Sequence, residues 1–223
     1  MRQKLLTKVD ENAIIMLINR CWRIKSMVVQ ALDIRCPGCG AAVTTDQKEC
    51  DFCGNPVLIS SFNSVTSMNP LQLNKYISSY KQSLAEHPDA RSLNMSIALC
   101  YMKLKMYDEA YQAFSKAIVD NFDFSDSYFY AAVCLLKGRK AFLLNRPEID
   151  KILELMNAAT MIEGRGIYYY FMAYIKFDYF KRKFLNTSPS YKDYLAMAKA
   201  AGCSALDEKT LFDMLGVDKP NMV

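Results

Sequence analysis

The chain has 223 residues, 52% of them hydrophobic and 23% charged, which is enough for one sizeable folded domain beside a small one. Glycine and proline are scarce, at 8 and 7, so the composition favours helix. The formal charge of +5 is uneven: residues 1–26 hold six Lys/Arg against two Asp/Glu (+4), and residues 27–223 hold 22 against 21 (+1). The body of the chain therefore lacks the basic face that a phosphate backbone requires.

Residues 1–33 are predicted to be helical, because Leu5, Leu6, Val9, Ala13, Leu17 and Cys21 fall three to four apart. A docking or dimerising helix with a basic face and a helix packed on the remainder are both open, and the charge break also fits initiation at Met27. The early apolar run, residues 13–18, follows Asp10 and Glu11 and is too short for a signal peptide or a membrane span.

Residues 34–59 contain two Cys-x-x-Cys pairs, Cys36/Cys39 and Cys50/Cys53, each followed by glycine (Gly40 and Gly54). Four thiolates at this spacing can close a tetrahedron around one metal ion, and soft anionic ligands suit zinc. A closed four-ligand set leaves no position for substrate, which excludes hydrolytic metal catalysis. The remaining cysteines, Cys21, Cys100, Cys134 and Cys203, are unpaired in pattern, which fits a reducing cytoplasm better than a disulfide framework. The Cys-Pro-x-Cys-Gly-Ala run at 36–41 and the Cys-x-x-Cys-Gly-x-Pro run at 50–56 resemble the short zinc ribbons found at one end of many bacterial proteins. That resemblance implies one structural Zn2+ and a small β module, and it is silent on partners.

Residues 60–70 are rich in Ser and Asn and read as a linker. Asn69-Pro70 then supplies an N-cap and a first-turn proline. From residue 71 to 203 the chain is expected to be helical and repetitive. Tyr76, Tyr80 and Ser83 recur 34 residues later as Ala110, Phe114 and Ala117, and Cys100 recurs as Cys134. This period and its order of small and large residues resemble the tetratricopeptide repeat. A first helix near Tyr128, an expanded turn at 138–147, a second helix to about Glu163, and a third unit from Ile167 to about Ala201 are expected to follow. Residues 204–223 are predicted as a capping helix and tail. The expected fold class is thus mainly α: a TPR-like α-α solenoid preceded by a small β zinc ribbon.

The resemblance also implies a concave groove lined by first-helix residues: Met95, Leu99 and Met102, then Phe129, Val133 and Leu136, then Phe171 and Ile175. Such a lining suits an apolar or amphipathic protein partner, unless a segment of the chain itself fills it. Enzymatic signals are poor: the single histidine, His87, has no motif around it, and no phosphate loop or nucleophile elbow is present. The predicted function is a non-enzymatic adaptor. Two alternatives follow from particular residues. Lys181, Arg182 and Lys183 beside the aromatic run 168–184 admit a nucleic-acid regulator, although residues 34–59 carry a net charge of −1. The cysteine knuckles also admit a rubredoxin-like iron centre.

Overall fold

A computed structural model describes residues 31–119 and 123–222. The chain divides into two units, Met1–Leu32 and Asp33–Val223, and the expected N-terminal helix lies almost wholly outside the described residues.

The second unit begins with two short strands, β1 (Asp33–Arg35) and β2 (Ala42–Thr44), paired antiparallel with Ile34 opposite Val43. These two apolar residues face inward, each 6% exposed, while their neighbours along the strands are more exposed. A bridge between Glu49 and Pro56 closes the second half of the ribbon.

The main regular elements that follow are helices: α1 (Asn63–Thr66), α2 (Pro70–Glu86), α3 (Arg91–Lys103), α4 (Tyr107–Ile118), α5 (Ser125–Leu135), α6 (Arg146–Ile162), α7 (Gly166–Ile175), α8 (Tyr191–Ala200) and α9 (Ala205–Leu215). From α2 to α8 each helix packs on the next in chain order, which is the architecture of an α-α solenoid. The helix starts are written in the sequence. Asn69, Asn145, Ser190 and Ser204 each form a reciprocal capping box with the residue three positions on. Gly216 ends α9 in the left-handed conformation (φ 65°).

The 34-residue register is visible in burial. Tyr80, Ala110, Phe114 and Ala117 are all fully buried. Aromatic contacts then run between units: Phe114 stacks on Tyr130 at 5.4 Å, Phe129 meets Tyr168 at 4.9 Å and Phe171 at 5.9 Å, and Tyr174 meets Phe212 of α9 at 5.3 Å. One continuous core thus joins α4 to the terminal helix. The expanded turn before α6 contributes to it. Its 3-10 segment, Ala141–Leu143, offers the Ala141 N–H to the Tyr174 hydroxyl at 3.3 Å and the Phe142 N–H to Asp178 at 2.9 Å.

Candidate metal centre and the segment behind it

The two cysteine knuckles have the same local build. In each, the first cysteine's carbonyl accepts from the glycine four residues on, Gly40 to Cys36 at 2.9 Å and Gly54 to Cys50 at 2.8 Å. In each, the first cysteine's N–H is also taken up, by Ala41 at 2.8 Å and by Asn55 at 2.9 Å. Gly40 and Gly54 sit at φ 80° and 69°, a conformation that side chains other than glycine rarely accept. This matched pair of turns aims four sulfurs at one point.

The sulfurs of Cys36, Cys39, Cys50 and Cys53 lie within 4.8 Å of one another, and the Cys36–Cys53 and Cys39–Cys50 separations are both 3.7 Å. A tetrahedron built on metal–sulfur bonds of about 2.3 Å has edges of about 3.8 Å, whereas a disulfide needs about 2.05 Å. The geometry fits a four-thiolate metal site, and the four residues are free cysteines. Backbone and side-chain donors add the polarity that thiolates need. Gly38 N–H points to Cys36 Sγ at 3.4 Å, and the Asn55 side chain donates to Cys53 Sγ at 3.4 Å. The Asn55 backbone N–H lowers the Cys53 thiol to about 7. At Cys39 the Ala41 N–H acts in the lowering direction but is outweighed, the neighbouring Cys53 thiol first, and the group is pushed up to about 12. Cys36 and Cys50 face inward, while Cys39 and Cys53 are exposed.

Segment 57–66, whose composition reads as a linker over 60–66, is packed against the helical array. Val57, Ile59, Phe62 and Val65 are buried, none more than 4% exposed. Tyr76 and Tyr80, one turn apart on α2, donate their hydroxyls to the carbonyls of Pro56 at 3.1 Å and Val57 at 2.9 Å. Ser96 on α3 pairs with both backbone groups of Ile59, accepting from its N–H at 3.0 Å and donating to its carbonyl at 3.1 Å. Tyr130, which occupies the same repeat position on α5, accepts from the Phe62 N–H at 3.5 Å. The ribbon is tied to α2 as well, through Ser79 Oγ donating to the Arg35 carbonyl at 2.9 Å. The array thus holds a segment of its own chain through backbone hydrogen bonds.

The eight groove candidates lie in the interior. Met95 is 5% exposed, Met102 and Phe129 2%, Val133 1%, and Leu99, Leu136, Phe171 and Ile175 are fully buried. Sequence reasoning missed the residues that hold the segment: Tyr76, Tyr80, Ser96 and Tyr130. The available signal was Ser96 itself, a polar residue inside an apolar helix at the 34-residue spacing from Tyr130.

The basic and aromatic alternative fares differently residue by residue. Arg182 pairs with Asp178 at 2.6 Å and stacks on Phe142, Lys183 lies over Tyr179 at 3.9 Å, and Lys181 remains exposed. Tyr168, Tyr170, Phe171, Tyr174, Tyr179 and Phe180 are buried, so they form core rather than a stacking platform. His87 is the C-cap of α2, its N–H bonded to the Ser83 carbonyl at 2.9 Å. Cys100 and Cys134 are fully buried, and burial pushes the Cys100 thiol up to about 12, which makes both apolar filling. No helix among the described residues is long and apolar enough to cross a membrane.

No family model matches the chain, and no curated protein matches it. Among solved structures, a chain described as "MamA MSR-1 C2" is similar over 67% of this chain and 74% of its own length, with 18% sequence identity and a TM-score of 0.44. A likeness of that degree carries no functional argument here.

Proposed function

We propose that the chain is a non-enzymatic adaptor in which a structural zinc ribbon and a TPR-like array act as one body that presents the ribbon's face to a protein partner. The observation that carries this reading is the fixation of residues 56–59 by the hydroxyls of Tyr76, Tyr80 and Ser96. A ribbon held this way has a defined orientation, and orientation is what an adaptor supplies. Zinc is the resident metal in this reading. Cys36, Cys39, Cys50 and Cys53 would hold it, and its binding would provide the folding free energy that so small a module lacks. Four thiolates also belong in a reducing compartment, here a bacterial cytoplasm.

With the eight groove residues buried, this reading assigns the partner contact to the ribbon end. Phe52, at the tip of the second knuckle, is 78% exposed, and Leu71 at the start of α2 is 69% exposed. Between the first knuckle and α2 lies an open cleft of about 490 Å3, lined by Arg35, Pro37, Leu71, Lys75 and Gln82 among others. An apolar or amphipathic protein segment suits that combination.

The test is recovery of partners on the zinc-loaded chain, with Phe52→Glu and Leu71→Glu as variants and Leu206→Glu as a control at a distant exposed apolar site. Loss of the same partners in the first two and retention in the third is the expected result. Partners retained by all three, or none recovered, would sink the reading. Colourless protein with one zinc per chain is expected, and a visible absorption band would favour the iron alternative instead. Binding to single-stranded DNA that weakens steeply with salt would favour the nucleic-acid alternative.

A further inference from the structure

The third helical unit buries a positive charge that its own residues do not neutralise. Beyond Ile175, α7 continues as a π-helical turn, Lys176–Lys181, a distortion that often accompanies functional sites. This turn leaves Lys176 8% exposed and Asp178 2% exposed, and the two are treated differently. Asp178 accepts from the Phe142 N–H at 2.9 Å and from the Arg182 guanidinium at 2.6 Å. The Lys176 ammonium gives one hydrogen bond, to Thr187 Oγ1 at 2.7 Å, and lies 4.7 Å from the Phe180 ring centre. Among the described residues it has no carboxylate within 4.0 Å. Among the described residues Asp150 is the acid that acts on it electrostatically, and that carboxylate is already paired with Arg146 at 2.8 Å. Arg146 in turn lies 5.2 Å from the same Phe180 ring.

The Lys176 side chain lines a cavity of about 220 Å3, together with Lys181, Lys192, Thr187, Ser190 and Asn186. The lining residues carry three ammonium groups and no carboxylate. The nearby acid Asp193 is held by the capping box, accepting from Ser190 N–H at 2.7 Å and Ser190 Oγ at 2.8 Å. We infer that this pocket is a binding site for a phosphate monoester group. A carboxylate would neutralise one lysine. A phosphate monoester carries about −1.5 to −2 charge and three strong acceptor oxygens, which suits three lysines with the Thr187 hydroxyl and the Asn186 amide beside them. Burial, and then repulsion by Arg146, lower the Lys176 ammonium from its ordinary range, so the group is poised to gain from an anion. The site belongs to the array and does not depend on the ribbon, its metal or its partner.

The experiment is calorimetric titration of the intact zinc-loaded chain with inorganic phosphate, against chloride at matched ionic strength, in wild type, Lys176→Met and Lys192→Met. Saturable phosphate binding is expected, weakened roughly tenfold or more in each variant, as for loss of one charge-assisted hydrogen bond. Without phosphate, Lys176→Met should leave the melting temperature unchanged or raise it, because it removes a buried charge with no anionic partner. A lowered melting temperature would mark Lys176 as a structural group and overturn the assignment. Lys192 is exposed, so Lys192→Met reads phosphate affinity without disturbing the core. A phosphoserine peptide that binds more tightly than free phosphate identifies a partner's modified side chain as the source, and equal binding identifies a free phosphate. Phosphate acting no more strongly than chloride, affinity indifferent to both substitutions, or single-stranded DNA binding that requires Lys181 but not Lys176 would each overturn the proposal.

Discussion

The ribbon and the array are held together by different physics. Residues 33–56 bury little apolar surface: Ile34, Val43, Cys36 and Cys50 make up their interior. By contrast, α3 buries an unbroken run, with Leu93 through Met102 all buried. Helices α2 and α4 and segment 57–66 pack against it. A module of the first kind depends on ligand bonds, and one of the second kind depends on the area it removes from water. The segment between them joins the two, since its side chains belong to the array's core while its neighbours upstream belong to the ribbon.

The largest effect should come from the ligands. Chelation of the metal, or Cys50→Ser, removes on the order of 10 kcal/mol of binding free energy from the ribbon. Amide hydrogen exchange should then lose all protection over 33–55, while segment 57–65 and α3 keep theirs and the helical circular dichroism barely changes. If protection across α3 collapsed too, the two regions would share one cooperative core and the contrast would fail.

Next in size is Phe114→Ala. Phe114 is fully buried and stacked on Tyr130, so truncation should cost about 3–5 kcal/mol in denaturant unfolding. Metal content should remain one per chain. A loss under about 1 kcal/mol would mean that the aromatic contacts between units are not what holds the array.

These two effects concern what the sequence made legible. Cysteine spacing announced the four-thiol cluster, because the geometry of such a site dictates spacing directly. The 34-residue recurrence announced the helix pairs because close helix packing demands small residues at set positions, here Ala110 and Ala117. Segment 57–66 was hidden for a physical reason. Its Ser and Asn content is that of a linker, and its buried residues, Val57, Ile59, Phe62 and Val65, pass from an extended spacing of two to a helical spacing of three, so neither periodicity accumulates. The cover over the groove residues was hidden by the same gap: in α3 every residue from Leu93 to Met102 is buried, polar Asn94 and Ser96 included, and the sequence does not say by what.

A third substitution probes the join itself. Ser96→Ala leaves the N–H and carbonyl of Ile59 without their partner inside the core. The cost should be about 1–3 kcal/mol, with faster exchange confined to residues near Ile59 and no loss of metal. Spread of the effect into the ribbon would show that the segment transmits stability from the array to the metal centre.

The smallest effect on folding is expected at Phe52. Phe52 sits between two metal-ligand candidates, Cys50 and Cys53, yet it is 78% exposed. Its ring adds little to the ribbon's interior, so Phe52→Ser should change unfolding stability by no more than about 0.5 kcal/mol. The metal should stay bound, because the knuckle is set by backbone bonds from Gly54 and Asn55 rather than by the ring. An aromatic ring kept in water at the tip of a module with so few apolar residues is unfavourable to solubility and neutral to the fold, and an interface explains both. If Phe52→Ser instead released the metal or melted the ribbon, the ring would be packing for the knuckle, and the partner-facing role would pass to Leu71 and the cleft beside it.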